Sequence, residues 1–144
     1  MIANFEDRID LFLRKSPRNK LIFLVNDLII DLPSIDIGFN LSSVIQHSLN
    51  HKQISMIASD ALETIMHSNS REHPVIGNYT AIRNIGILFE KSLKIDFIHF
   101  LETHSKNQTL IVEWKGEIEK NKLFFLSKDR GLHFDISKLS HINI

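Results

Sequence analysis

Glu113-Trp114-Lys115 puts a carboxylate and an ammonium group two positions apart in a segment rich in strand-forming residues. That spacing matches the Glu-x-Lys half of a restriction-type nuclease core, in which the glutamate binds a divalent metal and the lysine polarises the attacking water. Such a core also places a metal-binding aspartate on the preceding strand of a hairpin and a helix after the lysine. Here the nearby aspartate is Asp96, which is placed to cap a helix, and a second strand is expected after Lys115. Exposed strand-end charge is the plainer account of the pair. His47 and His51 stand at i and i+4 and would share a face of a continuous helix, as zinc ligands do. Asn50 interrupts the apolar pattern there and no Glu lies between the two, so a surface pair near the end of a short helix is the commoner explanation. His99 and His104, five apart, suggest no site. Asp27, Asp31 and Asp36 could gather at the top of a sheet and hold a cation. Beside Pro33 and Ser34, the same aspartates serve turns and caps. No nucleophile elbow, His-Glu-x-x-His helix or Gly-rich dinucleotide loop occurs. No residue is therefore assigned a catalytic, cofactor-binding or metal-ligating role, and no cofactor is expected.

Charge narrows the partners without naming one. Seventeen Lys and Arg balance seventeen Asp and Glu, which removes the simplest argument for a nucleic-acid surface. Lys15, Arg18 and Lys20 sit near the first expected strand, and Lys115, Lys120, Lys122, Lys128 and Arg130 near a hairpin. Glu113, Glu117, Glu119 and Asp129 are interleaved with them, as on a solvated sheet edge that discourages unwanted pairing. The absence of cysteine excludes disulfides and thiolate chemistry and is compatible with a reducing compartment. Acidic residues early in the chain argue against a secretory signal, and the apolar runs are far shorter than the roughly 20 residues of a membrane-spanning helix. The expectation is a cytoplasmic protein without membrane contact.

The elements that would position these residues follow from periodicity. A length of 144 residues suits one domain with its own core. Ile2, Phe5, Ile9, Phe12 and Leu13 predict an amphipathic helix over residues 3–15, stopped at Ser16-Pro17. Residues 21–25 form an apolar block expected to be a central strand, and residues 35–39 a second, alternating strand. Ser42 is placed to cap a short helix carrying Val44, Ile45 and Leu49, and a clearer helix is expected over 54–68. Residues 69–79 read as turn-rich, 85–89 as a buried strand, 97–101 as a helix capped by Asp96, and 109–114 as a strong strand. Residues 115–121 then turn the chain so that 122–127 returns beside that strand as a hairpin, with a last short strand near 134–144. The pattern predicts an α/β fold with a mostly parallel sheet flanked by helices and a C-terminal antiparallel hairpin.

The order Asn84-Ile85-Gly86-Ile87-Leu88-Phe89, Leu93-Lys94-Ile95-Asp96, then Ser105-Lys106-Asn107-Gln108-Thr109-Leu110-Ile111-Val112-Glu113-Trp114-Lys115-Gly116 resembles the carboxyl half of BrxF, the small P-loop protein of BREX phage-defence systems. The resemblance covers the last half of the chain and extends loosely back through Asn40-Leu41-Ser42. It implies a P-loop or Rossmann-like sheet with a phosphate loop after the first strand, where this chain reads Asn26-Asp27-Leu28-Ile29-Ile30-Asp31. A phosphate cradle needs glycines, a lysine and a hydroxyl, and two aspartates would repel a triphosphate. The acidic position expected before Asn84 is occupied by Arg83. What the resemblance implies is thus a degenerate relative that has lost nucleotide hydrolysis: a non-catalytic interaction or scaffold subunit of an antiphage defence system, whose partners are other protein subunits and which could form homo-oligomers. The alternatives are a metal-dependent nuclease using Glu113 and Lys115, or a nucleic-acid-binding module without catalysis.

Overall fold

The structure, a computed structural model, describes residues 5–25 and 32–144. The opening helix α1 (Phe5–Arg14) turns Ile9 and Phe12 into the core, and the chain reverses through Ser16, whose φ of 50° is left-handed. Strand β1 (Leu21–Leu24) is buried at every position, as an apolar block with helices on both faces must be.

Eight further strands follow: β2 (Ile35–Asp36), β3 (Arg71–His73), β4 (Gly77–Arg83), β5 (Thr109–Glu113), β6 (Gly116–Glu119), β7 (Lys122–Phe125), β8 (His133–Asp135) and β9 (His141–Asn143). The main sheet has the order β2-β4-β5-β1-β9, all parallel, with β3 added antiparallel to the amino end of β4. Strands β6, β7 and β8 form a separate antiparallel sheet. The pleat divides the core in two. Leu21, Phe23, Ile82, Leu110 and Val112 face a large cluster formed with helices α2 (Ile37–Ile45), α3 (Ile54–Ser68) and α4 (Phe97–His104). Ile22, Leu24, Tyr79, Ala81 and Ile111 face α1. The expected class, a mostly parallel α/β sheet flanked by helices, is the class observed.

Several local expectations are corrected. Residues 35–39 are strand for two residues only, because Asp36 caps α2 with its side chain and the helix starts at Ile37. Ser42 lies inside that helix, donating its hydroxyl to the Phe39 carbonyl at 3.2 Å, and caps nothing. Residues 85–89 are a 3-10 turn, Gly86–Phe89, not a strand. The strand itself is β4, eight residues earlier and disguised by polar Asn78 and Thr80; Thr80 is fully buried, its hydroxyl donating to Gln108 Oε1 at 3.1 Å. Residues 115–121, read as a turn, contain strand β6, so β7 returns beside β6 and not beside β5. The reversal is confined to Lys120 and Asn121, with φ of 50° and 64°, the paired positive values of a type I′ hairpin. Helix α3, the cap at Asp96 and strand β5 lie where periodicity puts them.

The small sheet is fastened to the domain by aromatic rings. Phe89 stands 4.7 Å from Phe125, 4.9 Å from Phe97 and 5.0 Å from Phe134 between ring centres. Trp114 is buried beside them, its indole N–H donating to the Glu117 carbonyl at 3.3 Å. Gly116 makes the exit from β5 feasible. Its φ is +146°, and a Cβ there would run into the Phe124 carbonyl oxygen and lie 2.7 Å from the Leu126 nitrogen. Gly116→Ala is therefore expected to lower unfolding free energy by about 3 kcal/mol, read as a shifted urea midpoint at unchanged slope.

Candidate functional site

Open α/β sheets bind ligands beyond the carboxyl ends of their strands. Along this edge lie Asp36 at the end of β2, Arg83 and Asn84 at the end of β4, and Glu113, Trp114 and Lys115 at the end of β5. The end of β1 leads into residues 26–31, so the phosphate-loop position and the expectations for Asp27 and Asp31 lie outside the described residues.

Asp36 is the centre of what is built here. Its Oδ1 accepts the Phe39 N–H at 2.8 Å, which starts α2, and the Asn84 side-chain amide at 2.8 Å. Its Oδ2 takes Arg83 Nη1 at 3.2 Å, and Arg83 Nε reaches Ser34 Oγ at 3.1 Å. Asn84, left-handed with φ of 54°, accepts the Gly38 N–H at its carbonyl, 2.9 Å away. A Cβ at Gly38 would meet the Asn84 side-chain amide, so that amide would have to move to admit one. With these donors around it, the Asp36 carboxyl is held below the ordinary aspartate pKa, first by the Phe39 backbone N–H and then by Asn84, with Arg83 adding its charge. Sequence reasoning missed this cluster. The signal was present as an aspartate immediately before Ile37, Leu41 and Ile45, a four-residue period with its cap in place.

This arrangement does not fit a magnesium-nucleotide site at the end of β4. A cation, Arg83, holds the place where an acid would bind the metal, and the neighbouring carboxylate is already committed to a guanidinium and an amide. Glu113 and Lys115, the nuclease pair, form an ion pair of 3.8 Å with both side chains substantially exposed. Asp96 caps α4, accepting the His99 N–H at 3.0 Å. Among the described residues no three acidic or imidazole side chains come together in a way that could hold a metal ion.

The histidines separate in the same way. His47 belongs to a 3-10 turn, Gln46–Ser48, and His51 to the following loop, where its Nδ1 accepts the Gln53 N–H at 3.0 Å. No continuous helix aligns them, and both are exposed. His104 meets Glu63 at 3.0 Å and His99 meets Thr103 at 3.4 Å. In the basic regions, Arg18 pairs with Glu102 at 3.9 Å, and Lys128 bridges Glu117 and Glu119. The side chains in these pairs are substantially exposed. Among the described residues no helix is long and apolar enough to cross a membrane.

Comparison of the chain with protein families, curated proteins and solved structures gives no match.

Asp36 is the group through which this edge can be tested. Asp36→Ala removes a helix cap and a half-exposed ion pair and should cost about 1.5 kcal/mol at neutral pH. Because the folded pKa is lowered, the carboxylate's contribution is present above the ordinary value of 3.8 and fades as pH falls through the lower folded value. Denaturation curves of the two proteins should therefore converge in strong acid.

Proposed function

We propose that this protein is a non-catalytic interaction subunit built on a degenerate P-loop-like sheet. The observation that carries the reading is the Asp36–Arg83–Asn84 cluster at the carboxyl end of β4. It ties β2, β4 and the start of α2 together with groups that elsewhere would be free to meet a ligand. A sheet edge closed by its own cap, guanidinium and amide serves stability, and function then rests on surfaces. The antiphage setting, with other defence subunits as partners, comes from the BrxF-like segments between Asn84 and Gly116 alone. For a nuclease role, Glu113 and Lys115 belong to no cluster of three metal-ligating side chains among the described residues, and for a nucleic-acid-binding role Lys128 is already held by the carboxylates of Glu117 and Glu119.

Calorimetric titration of ATP and GTP with magnesium should give no saturable heat up to roughly millimolar nucleotide, the weak end of specific binding. Micromolar binding would overturn the reading. Plasmid DNA should remain uncut in magnesium or manganese, and Glu113→Ala should behave as the parent does.

A further inference from the structure

The edge strand β9 is parallel to β1, and no described strand pairs with it on its other side. Ile144 bonds inward, donating to the Phe23 carbonyl at 2.8 Å and accepting the Val25 N–H at 2.9 Å. The two-residue alternation of a strand then turns the backbone of His141 and Asn143 outward. Consistent with that, the Asn143 carbonyl is met at 3.0 Å by Arg8 Nη2, reaching across from α1. Beside this edge runs a groove of 180 Å³ lined by Arg8, Leu11, Phe12, Lys15 and Ile142. Its lining has two cations and no carboxylate, and Leu11 is 62% exposed. Asp7 and Asp10 line the adjoining groove, which shares Arg8 and Leu11 with this one, and Asp10 is held there by Arg14 at 2.9 Å.

We propose that β9 and this groove together dock an extended, acidic segment of a partner protein by strand addition. An outward-facing backbone supplies main-chain hydrogen bonds to an added strand, and the flanking side chains select its sequence. Alternate residues of the added strand would lie over the α1 face. An apolar residue there covers Leu11 and Ile142, and acidic residues on either side meet Arg8 and Lys15. A second copy of this chain fits less well, because pairing two β9 edges about a two-fold axis sets Arg8 and Lys15 against their own counterparts. The inference deepens the interaction reading above and rests on it.

The test is fluorescence anisotropy with a labelled, end-blocked Glu-Val-Ile-Val-Glu peptide and its Lys-for-Glu counterpart. Saturable binding of the acidic peptide is expected, and Arg8→Glu with Lys15→Glu should weaken it about tenfold, the effect of two exposed ion pairs. The same double variant should come to prefer the basic peptide. Asn143→Pro deletes an outward N–H while leaving the inward bonds of Ile144 in place, and should abolish binding in protein that remains folded by circular dichroism. No saturable binding, equal binding of both peptides, or indifference to the charge reversal would overturn the proposal. Peptide failure alongside absent nucleotide binding would remove this edge assignment alone, whereas tight nucleotide binding would remove the non-catalytic reading and leave the edge to be judged by the peptide.

Discussion

The main sheet depends on β5. It is the only described strand bonded both to β4 and to β1, so the two halves of the sheet meet through it. Leu110 and Val112 enter the core under α2, α3 and α4, while Ile111 enters the core under α1. The apolar run from Leu110 to Val112 is thus required by both layers at once. Gln108, just before the strand, accepts the hydroxyls of Ser70 and Thr80 and fixes its register at the amino end. Trp114, just after it, joins the rings that hold the small sheet.

The carboxyl edge reads differently once β5 is seen as the divider. The ends of β1 and β4 lie on one edge of the sheet with β5 between them. At β4 that end is occupied by a guanidinium held by a cap aspartate. The polar groups at this edge are partly open to solvent and meet one another as well. Among the described residues, no buried side-chain polar atom lacks a hydrogen-bond partner.

The layered class was legible because β1 and β5 are apolar on both faces and α1 and α3 carry a strong helical period. Strand β4 was not, because its first half is polar and its buried Thr80 owes its place to a hydrogen bond that only the folded chain supplies. Residues 85–89 look like a strand for the converse reason. Ile85 and Leu88 are buried, but the 3-10 turn delivers them to the core at a spacing of three, which a five-residue apolar run cannot reveal. Asp36 was visible as a turn or cap residue, whereas its partnership with Arg83 and Asn84, 47 and 48 positions away, is a product of the β2–β4 pairing. The separation of β6 from β5 hinges on Gly116, whose backbone angle no composition rule discloses.

The placement of β1 also dictates how the chain can reach this structure. Both of its neighbours, β5 and β9, come from the far part of the sequence, and the turn before it is tied in the same manner. Asn19 donates its backbone N–H to the Ser140 hydroxyl at 2.7 Å and accepts that hydroxyl at 3.0 Å, across 121 residues. Its side-chain amide reaches Ser105 at 3.1 Å. Until residue 109 has left the ribosome, β1 is an apolar segment without a strand to join, and until residue 143 has, one of its sides is still open. Such non-local pairing slows folding and leaves an aggregation-prone edge open for the length of synthesis, although the finished sheet has every one of these strands in register.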